Sequence, residues 1–143
     1  IKRVSQRSKG HLIDTGFDCQ LLHLKAPNQF LSFPNAGALF ETYVSNMLRA
    51  TLASLPFAVA IYHWRSSGGA EVDLVLQQGN ALYPIEIKMK SSVGKYEARG
   101  INAFRETYKD GPLTVETGII VYAGSSCYWV SNDVLAVPWN MIL

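Results

Sequence analysis

The sequence has no apolar run approaching the roughly 18 residues that a membrane-spanning helix requires, so a spanning role is set aside. Its start, IKRVSQRSKG, carries positive charges but no hydrophobic segment behind them, from which we expect no secretory leader. Cysteine is scarce. Cys19 and Cys127 are far apart and form no C-x-x-C pair, which argues against a thiolate metal centre and for reduced thiols in a cytoplasm. Three histidines, His11, His23 and His63, show no metal-ligand spacing. No G-x-x-x-x-G-K-[ST] loop is present, and Gly94-Lys95 lacks both the leading glycine and the following hydroxyl, so nucleoside-triphosphate chemistry has no cradle here. A net charge of +2 is too small to announce a nucleic-acid partner, although Lys2, Arg3, Arg7 and Lys9 make the first ten residues locally basic.

What is there suits one folded unit: 143 residues, 48% hydrophobic and 17% charged, enough to bury a real core. The chain opens on Ile rather than Met, from which we expect a longer protein with a further module upstream. HLID reads as a short strand and Thr15 to Leu24 as a brief helix capped by Thr15. Between Ala26 and Gly37 the turn formers Pro27, Asn28, Pro34, Asn35 and Gly37 predict a loop or linker. This divides the chain into an amino-terminal extension, 1–35, and a main domain, 36–143. Leu39, Phe40, Tyr43, Val44, Met47 and Leu48 recur at helical spacing from Ala38 to about Leu55, before Pro56. FAVAIYHW reads as a strand, and EVDLVLQ and ALYPIEIK as a hairpin around Gly79-Asn80, whose leading glycine fits a type II′ turn. The segment VGKYEARGINAFRETYK places Tyr96, Ile101, Phe104 and Tyr108 on one side of a helix, with Gly100 as its weak point. TGIIVYA and CYWVS then read as strands, and the tail AVPWNMIL is too short to classify.

The hairpin carries the chemistry. With Gly79 and Asn80 as the two loop residues, Asp73 faces Glu86 and Glu71 faces Lys88. The period-two alternation of a strand then puts these four side chains on one face, and Val72, Leu74, Ile85 and Ile87 on the other. Like charges facing each other across a ladder are destabilising unless neutralised. Either one carboxyl of Asp73 and Glu86 keeps its proton through a raised pKa, or a cation sits between them. A hard divalent cation, Mg2+ or Mn2+, is the natural solution, because magnesium is held by one or two carboxylates with water and phosphate oxygens completing its shell. Lys88 would hold a metal-activated water or stabilise charge on a phosphate. Glu41, on the polar side of the long helix, would add a ligand or orient water. The bland readings stand beside these: a cross-strand ion pair for Glu71 and Lys88, a solvated acidic surface for Asp73 and Glu86, a solvent-facing position for Glu41. Arg65 at a strand end, with Lys95 and Arg99 in the polar stripe of the later helix, would contact a nucleic-acid backbone or simply lie in solvent.

The run GAEVDLVL followed by YPIEIK resembles the D…(D/E)-x-K signature of the PD-(D/E)xK nuclease superfamily at Asp73, Glu86, Ile87 and Lys88. This resemblance implies a restriction-endonuclease-like αβββαβ core, an α/β fold with a central mixed sheet flanked by helices, and a helix acid best matched by Glu41. A second resemblance covers nearly the whole chain. HLIDTGFDCQLLHL, GALFETYVSNML, IYHWRSSGGAEVDLVL, YPIEIKMKSS and VPWNMIL look like the carboxy-terminal domain of unknown function found behind AAA-type ATPase modules in bacterial and archaeal ATP-binding proteins. It implies an upstream ATPase in the same full-length chain. No Gln or second Lys on the later helix completes the nuclease pattern. The expected function is therefore Mg2+-dependent hydrolysis of DNA phosphodiester bonds, with an inactive assembly, partner-recognition or nucleic-acid-binding module as the rival.

Overall fold

The computed structural model describes residues 10–142. The basic start, Lys2, Arg3, Arg7 and Lys9, lies outside the described residues, as does Leu143. In order, the elements are α1 (Thr15–Leu21), α2 (Pro27–Ser32), α3 (Ala36–Ala53), β1 (Ala60–Arg65), β2 (Glu71–Gln78), β3 (Ala81–Lys88), α4 (Arg99–Tyr108), β4 (Thr114–Val115), β5 (Gly118–Tyr122), β6 (Tyr128–Ser131) and β7 (Val134–Pro138), closed by a 3₁₀ turn at Trp139–Met141.

One seven-stranded sheet runs in the order β1-β2-β3-β5-β7-β6, with the short β4 also on β3. β1, β2 and β3 are antiparallel neighbours. β3, β5 and β7 are parallel. The fold is thus α/β with a mixed central sheet and helices on both faces. On β5 the alternation is clean. Val121 packs with Phe40 and Val44 of α3, whereas Ile120 and Tyr122 pack with Ala98 and Ile101 at α4, as a strand buried on both faces requires.

Several expectations need correction at the edges. HLID is not a strand. It runs beside α3, where the Asn46 side-chain amide donates to the carbonyls of Leu12 (2.7 Å) and Ile13 (3.0 Å), so its backbone is satisfied without a ladder. The cap of α1 is Asp14, whose carboxylate accepts from the Phe17 N–H at 3.0 Å, one residue before Thr15. The Ala26–Gly37 loop contains α2. Pro27 sits at its start and the Gln29 side chain reaches back to accept from the Ala26 N–H, a helix-start use of proline that a turn reading overlooks. Of the tail, Ala136, Val137 and Pro138 belong to β7 beside β5, and Trp139–Met141 form the 3₁₀ turn.

The hairpin register is the expected one: Leu74 pairs with Ile85, Leu76 with Tyr83 and Gln78 with Ala81. Gly79 has φ +57°, the positive value wanted at the first turn position. On its other side β2 is irregular. Tyr62 pairs with Val75 but Trp64 with Val72, so three residues of β2 span the distance of two on β1. This bulge turns Val72 to the same side as Val75, Leu82 and Phe104, while Leu74 faces Ile85 and Ile87. Val72 therefore leaves the face assigned to it by strict alternation, and the extra residue falls at Asp73 or Leu74.

Helix α4 lies hard against the bulged strand. A Cβ on Gly100 would come within 2.0 Å of the Glu71 carbonyl oxygen and 3.5 Å of Glu86 Oε2. The weak point in the helical pattern is thus a contact that only glycine permits. Gly100→Ala would gain about 1 kcal/mol of helix propensity, but it must push α4 off the β2 backbone, an overpacking that costs about 1–3 kcal/mol or more. At 2.0 Å from a backbone atom the clash wins. Urea denaturation should show a lower midpoint for Gly100→Ala, and an unchanged or raised midpoint would contradict the packing described.

Candidate active site

The bulge aims Asp73 at β3. Its carboxylate Oδ2 accepts the Ile87 backbone N–H at 2.9 Å, just beyond the last regular pair, Leu74 with Ile85. Asp73 is 6% exposed and Glu86 8%, so both acids are withdrawn from water. Glu86 points to the α4 side, opposite to Ile85 and Ile87. Lys88, two residues on, donates from Nζ to Glu86 Oε1 at 2.7 Å and lies 3.9 Å from Asp73 Oδ2. Asp73, Glu86 and Lys88 are therefore brought together, although the paired register ends at Leu74 and Ile85 and Asp73 reaches in from beyond it.

Of the two ways of relieving the acid pair that the sequence leaves open, a retained proton is the one favoured here, and a lysine joins it. Burial first, and then the Asp73 charge, push the Glu86 carboxyl up to about 7. Burial disfavours the Lys88 ammonium, but its hydrogen bond to Glu86 and the charges of Glu86, Asp73 and Glu41 hold it above the ordinary lysine value. The acidic pair is thus met by a shared ammonium and by a carboxyl that clings to its proton. Like-charge repulsion alone does not demand a metal here.

Glu41 sits half-buried on α3, the layer opposite α4, and its charge reaches Lys88. Among the described residues no three Asp, Glu, His or Cys side chains are gathered to hold one ion, so Glu41 does not complete a three-acid cluster with Asp73 and Glu86. The donors that suit a hard cation are the two strand carboxylates. Glu86 Oε2 is buried with no hydrogen-bond partner among the described residues, and the Lys88 side chain that reaches Oε1 is 32% exposed. A magnesium ion needs only one or two carboxylates with water around it, and this pair fits that requirement.

A cleft of about 300 Å3 opens over Glu86 and Lys88, lined by Glu71, Lys90, Tyr96, Glu97, Arg99 and Gly100 among others. Glu71 does not pair with Lys88 as the register suggested. It lies 3.8 Å from His63 Nε2 and 3.9 Å from Arg65 Nε, because the bulge carries it toward β1. Arg65 is exposed beside it. Lys95 is exposed in the turn before α4, which begins only at Arg99, so the expected helical stripe of Lys95, Arg99 and Asn102 is not continuous. Tyr96 is 67% exposed, and only Ile101, Phe104 and, in part, Tyr108 form the buried face. The cleft's Lys90, Tyr96 and Glu97 were missed as site residues: they stand in an irregular turn, and no periodic pattern marks it.

The model of the family described as "Domain of unknown function (DUF4143)" matches residues 36–142. The chain belongs to the DUF4143 family. Two curated relatives, the uncharacterized proteins Mb2031c of Mycobacterium bovis and Rv2008c of Mycobacterium tuberculosis, are each 31% identical to it over 142 residues. Those residues are 99% of this chain and 30% of either relative, so this DUF4143 chain spans under a third of their length. Among solved structures, the complex of Thermococcus gammatolerans McrB AAA+ hexamers with bound McrC contains a chain that aligns at a TM-score of 0.49 and 13% identity. The alignment covers 71% of this chain and 27% of that one, a likeness too weak to bear on function. No helix among the described residues is long and apolar enough to cross a membrane.

Proposed function

We propose that this DUF4143 domain has a restriction-endonuclease-like core and hydrolyses DNA phosphodiester bonds with Mg2+ or Mn2+. The observation that carries this reading is the convergence of Asp73, Glu86 and Lys88, with Lys88 Nζ 2.7 Å from Glu86 and 3.9 Å from Asp73, where Glu86 and Lys88 line an open cleft. With the two-residue β4 set aside, the element order α3-β1-β2-β3-α4-β5 supports the αβββαβ reading. Asp73 and Glu86 would hold the ion, which when bound supplies an acidified water and a counter-charge for phosphate oxygens. Lys88, released from Glu86, would present its ammonium to the reacting phosphate. Glu41 would act through its charge on Lys88, and Arg65, Lys95 and Arg99 would neutralise the DNA backbone.

The same proposal places the domain behind an AAA-type ATPase module, on the motif resemblance described above, with residues 1–35 as the connection and the cytoplasm as its compartment. The length of the mycobacterial relatives leaves room for such a module in them.

The test is nicking of plasmid and single-stranded DNA with and without Mg2+ or Mn2+. We expect metal-dependent cleavage that Lys88→Ala reduces by about 100-fold, the scale of losing one positioned electrostatic group. Equal nicking by the native and Lys88→Ala proteins would end the enzyme reading and leave an inactive module for assembly or recognition.

A further inference from the structure

We infer that the cleft takes single-stranded rather than duplex nucleic acid, with Tyr96 as its stacking platform. The inference rests on the proposal above insofar as the cleft faces a polynucleotide, and it adds which form of the polymer enters. The first observation is charge. Of the cleft's cations, Lys88 is paired with Glu86 and Lys90 with Glu97 (2.7 Å). Arg99 has no carboxylate partner among the described residues, and its guanidinium carbon lies 4.1 Å from the centroid of the Tyr96 ring. One face of that ring is thus covered by a cation, while the side chain as a whole stays 67% exposed.

The second observation is that this exposed ring is carried on a fixed segment. The Tyr128 hydroxyl accepts the Val93 N–H at 2.9 Å and donates to the Val93 carbonyl at 2.8 Å. Glu97 accepts the Gly94 N–H at 2.8 Å and the Lys90 ammonium at 2.7 Å, and these two bonds hold its carboxyl below the usual range. Ala98 is buried against Ile101 and Tyr122. Apart from its contact with Arg99, Tyr96 is left largely in water by this anchored turn. A planar ring with an arginine on one face and water on the other is the arrangement on which unpaired bases stack, and such stacking tolerates any sequence because every base has a π-face.

The third observation is size. The cleft encloses about 300 Å3, room on the order of one nucleotide, whereas the paired bases of a duplex turn only their edges and phosphates outward. A base freed from pairing can lie on Tyr96 while its phosphate faces Arg99 and the Lys88 end of the cleft.

Fluorescence anisotropy of a labelled 12-nucleotide single strand and its duplex, in EDTA at low salt, tests this apart from cleavage. The single strand should bind about 10-fold tighter than the duplex, and Tyr96→Ala should lose about that factor while Tyr96→Phe keeps affinity within about two-fold. Arg99→Ala should lower the salt slope by roughly 0.7, the value for one phosphate contact on a single strand. Equal or better binding of the duplex, or a Tyr96→Ala protein that binds like the native one, overturns the inference. A chain that binds in this way yet never cuts would refute the hydrolase alone. One that cuts yet prefers duplex would refute this inference alone.

Discussion

Asp73→Asn should abolish metal-dependent cleavage while leaving the fold almost untouched. The asparagine oxygen can still accept the Ile87 N–H that Asp73 Oδ2 accepts at 2.9 Å, so the closure of the ladder at the bulge survives. What disappears is one of two carboxylate charges available to a hard cation, together with the charge 3.9 Å from Lys88. Loss of a carboxylate ligand from a two-carboxylate site should cost at least about 100-fold in rate, comparable to removal of one preorganised electrostatic group. The melting temperature should stay within a few degrees, since the buried N–H is not orphaned. Cleavage by Asp73→Asn at the native rate would remove Asp73 from the site. A protein that fails to fold would instead show the carboxylate charge to be structural.

The second large effect is on stability, and its sign is set by Glu86. Its carboxyl is raised from 4.5 to about 7 in the folded chain, by burial first and then by Asp73. A carboxyl raised on folding binds its proton more tightly in the native state. Its contribution to stability is therefore fully present below about pH 4.5 and is lost as pH rises through 7. The loss is on the order of 3 kcal/mol across that window, at about 1.4 kcal/mol per pKa unit. Gln resembles the protonated carboxyl and does not titrate. Glu86→Gln should thus be the more stable protein at pH 8, the gap closing toward pH 5, while losing cleavage. Urea unfolding of both proteins at pH 5 and pH 8 reads this directly. A Glu86→Gln protein less stable than the native one at pH 8 would mean that the Lys88 ammonium outweighs the burial.

The contrast between these two substitutions shows what was legible in the sequence. Two glycine-led loop residues fix a register, and the register brought Asp73, Glu86 and Lys88 together without any structure. The long helix, the hairpin and the return to strands after α4 were equally plain, because their hydrophobic periods are unambiguous. The bulge was not legible. EVDLVL alternates well enough to pass for a regular strand, and the extra residue is set by how β1 lies beside β2. For that reason Val72 was assigned a face, and Glu71 a partner, that they do not have. An ion pair for Lys88 was legible, but with the wrong partner: a regular ladder offers it Glu71, whereas Lys88 meets Glu86 and Asp73. Short elements such as α2 and β4 carry too few residues for a period to show, and the turn that holds Tyr96 has none.

β3 has antiparallel bonding to β2 on one side and parallel bonding to β5 on the other, so it is where the hairpin half of the sheet meets the crossover half. Glu86 and Lys88 are both paired in register with β5, to Ile120 and Tyr122, while Asp73 reaches across from β2 to the Ile87 N–H between them. β2 and β3, which carry both acids and the lysine, are therefore each held by a neighbouring strand on either side. Parting Asp73 from Glu86 means opening the β2–β3 ladder inside the sheet, so the backbone of the site keeps its shape for as long as that ladder holds.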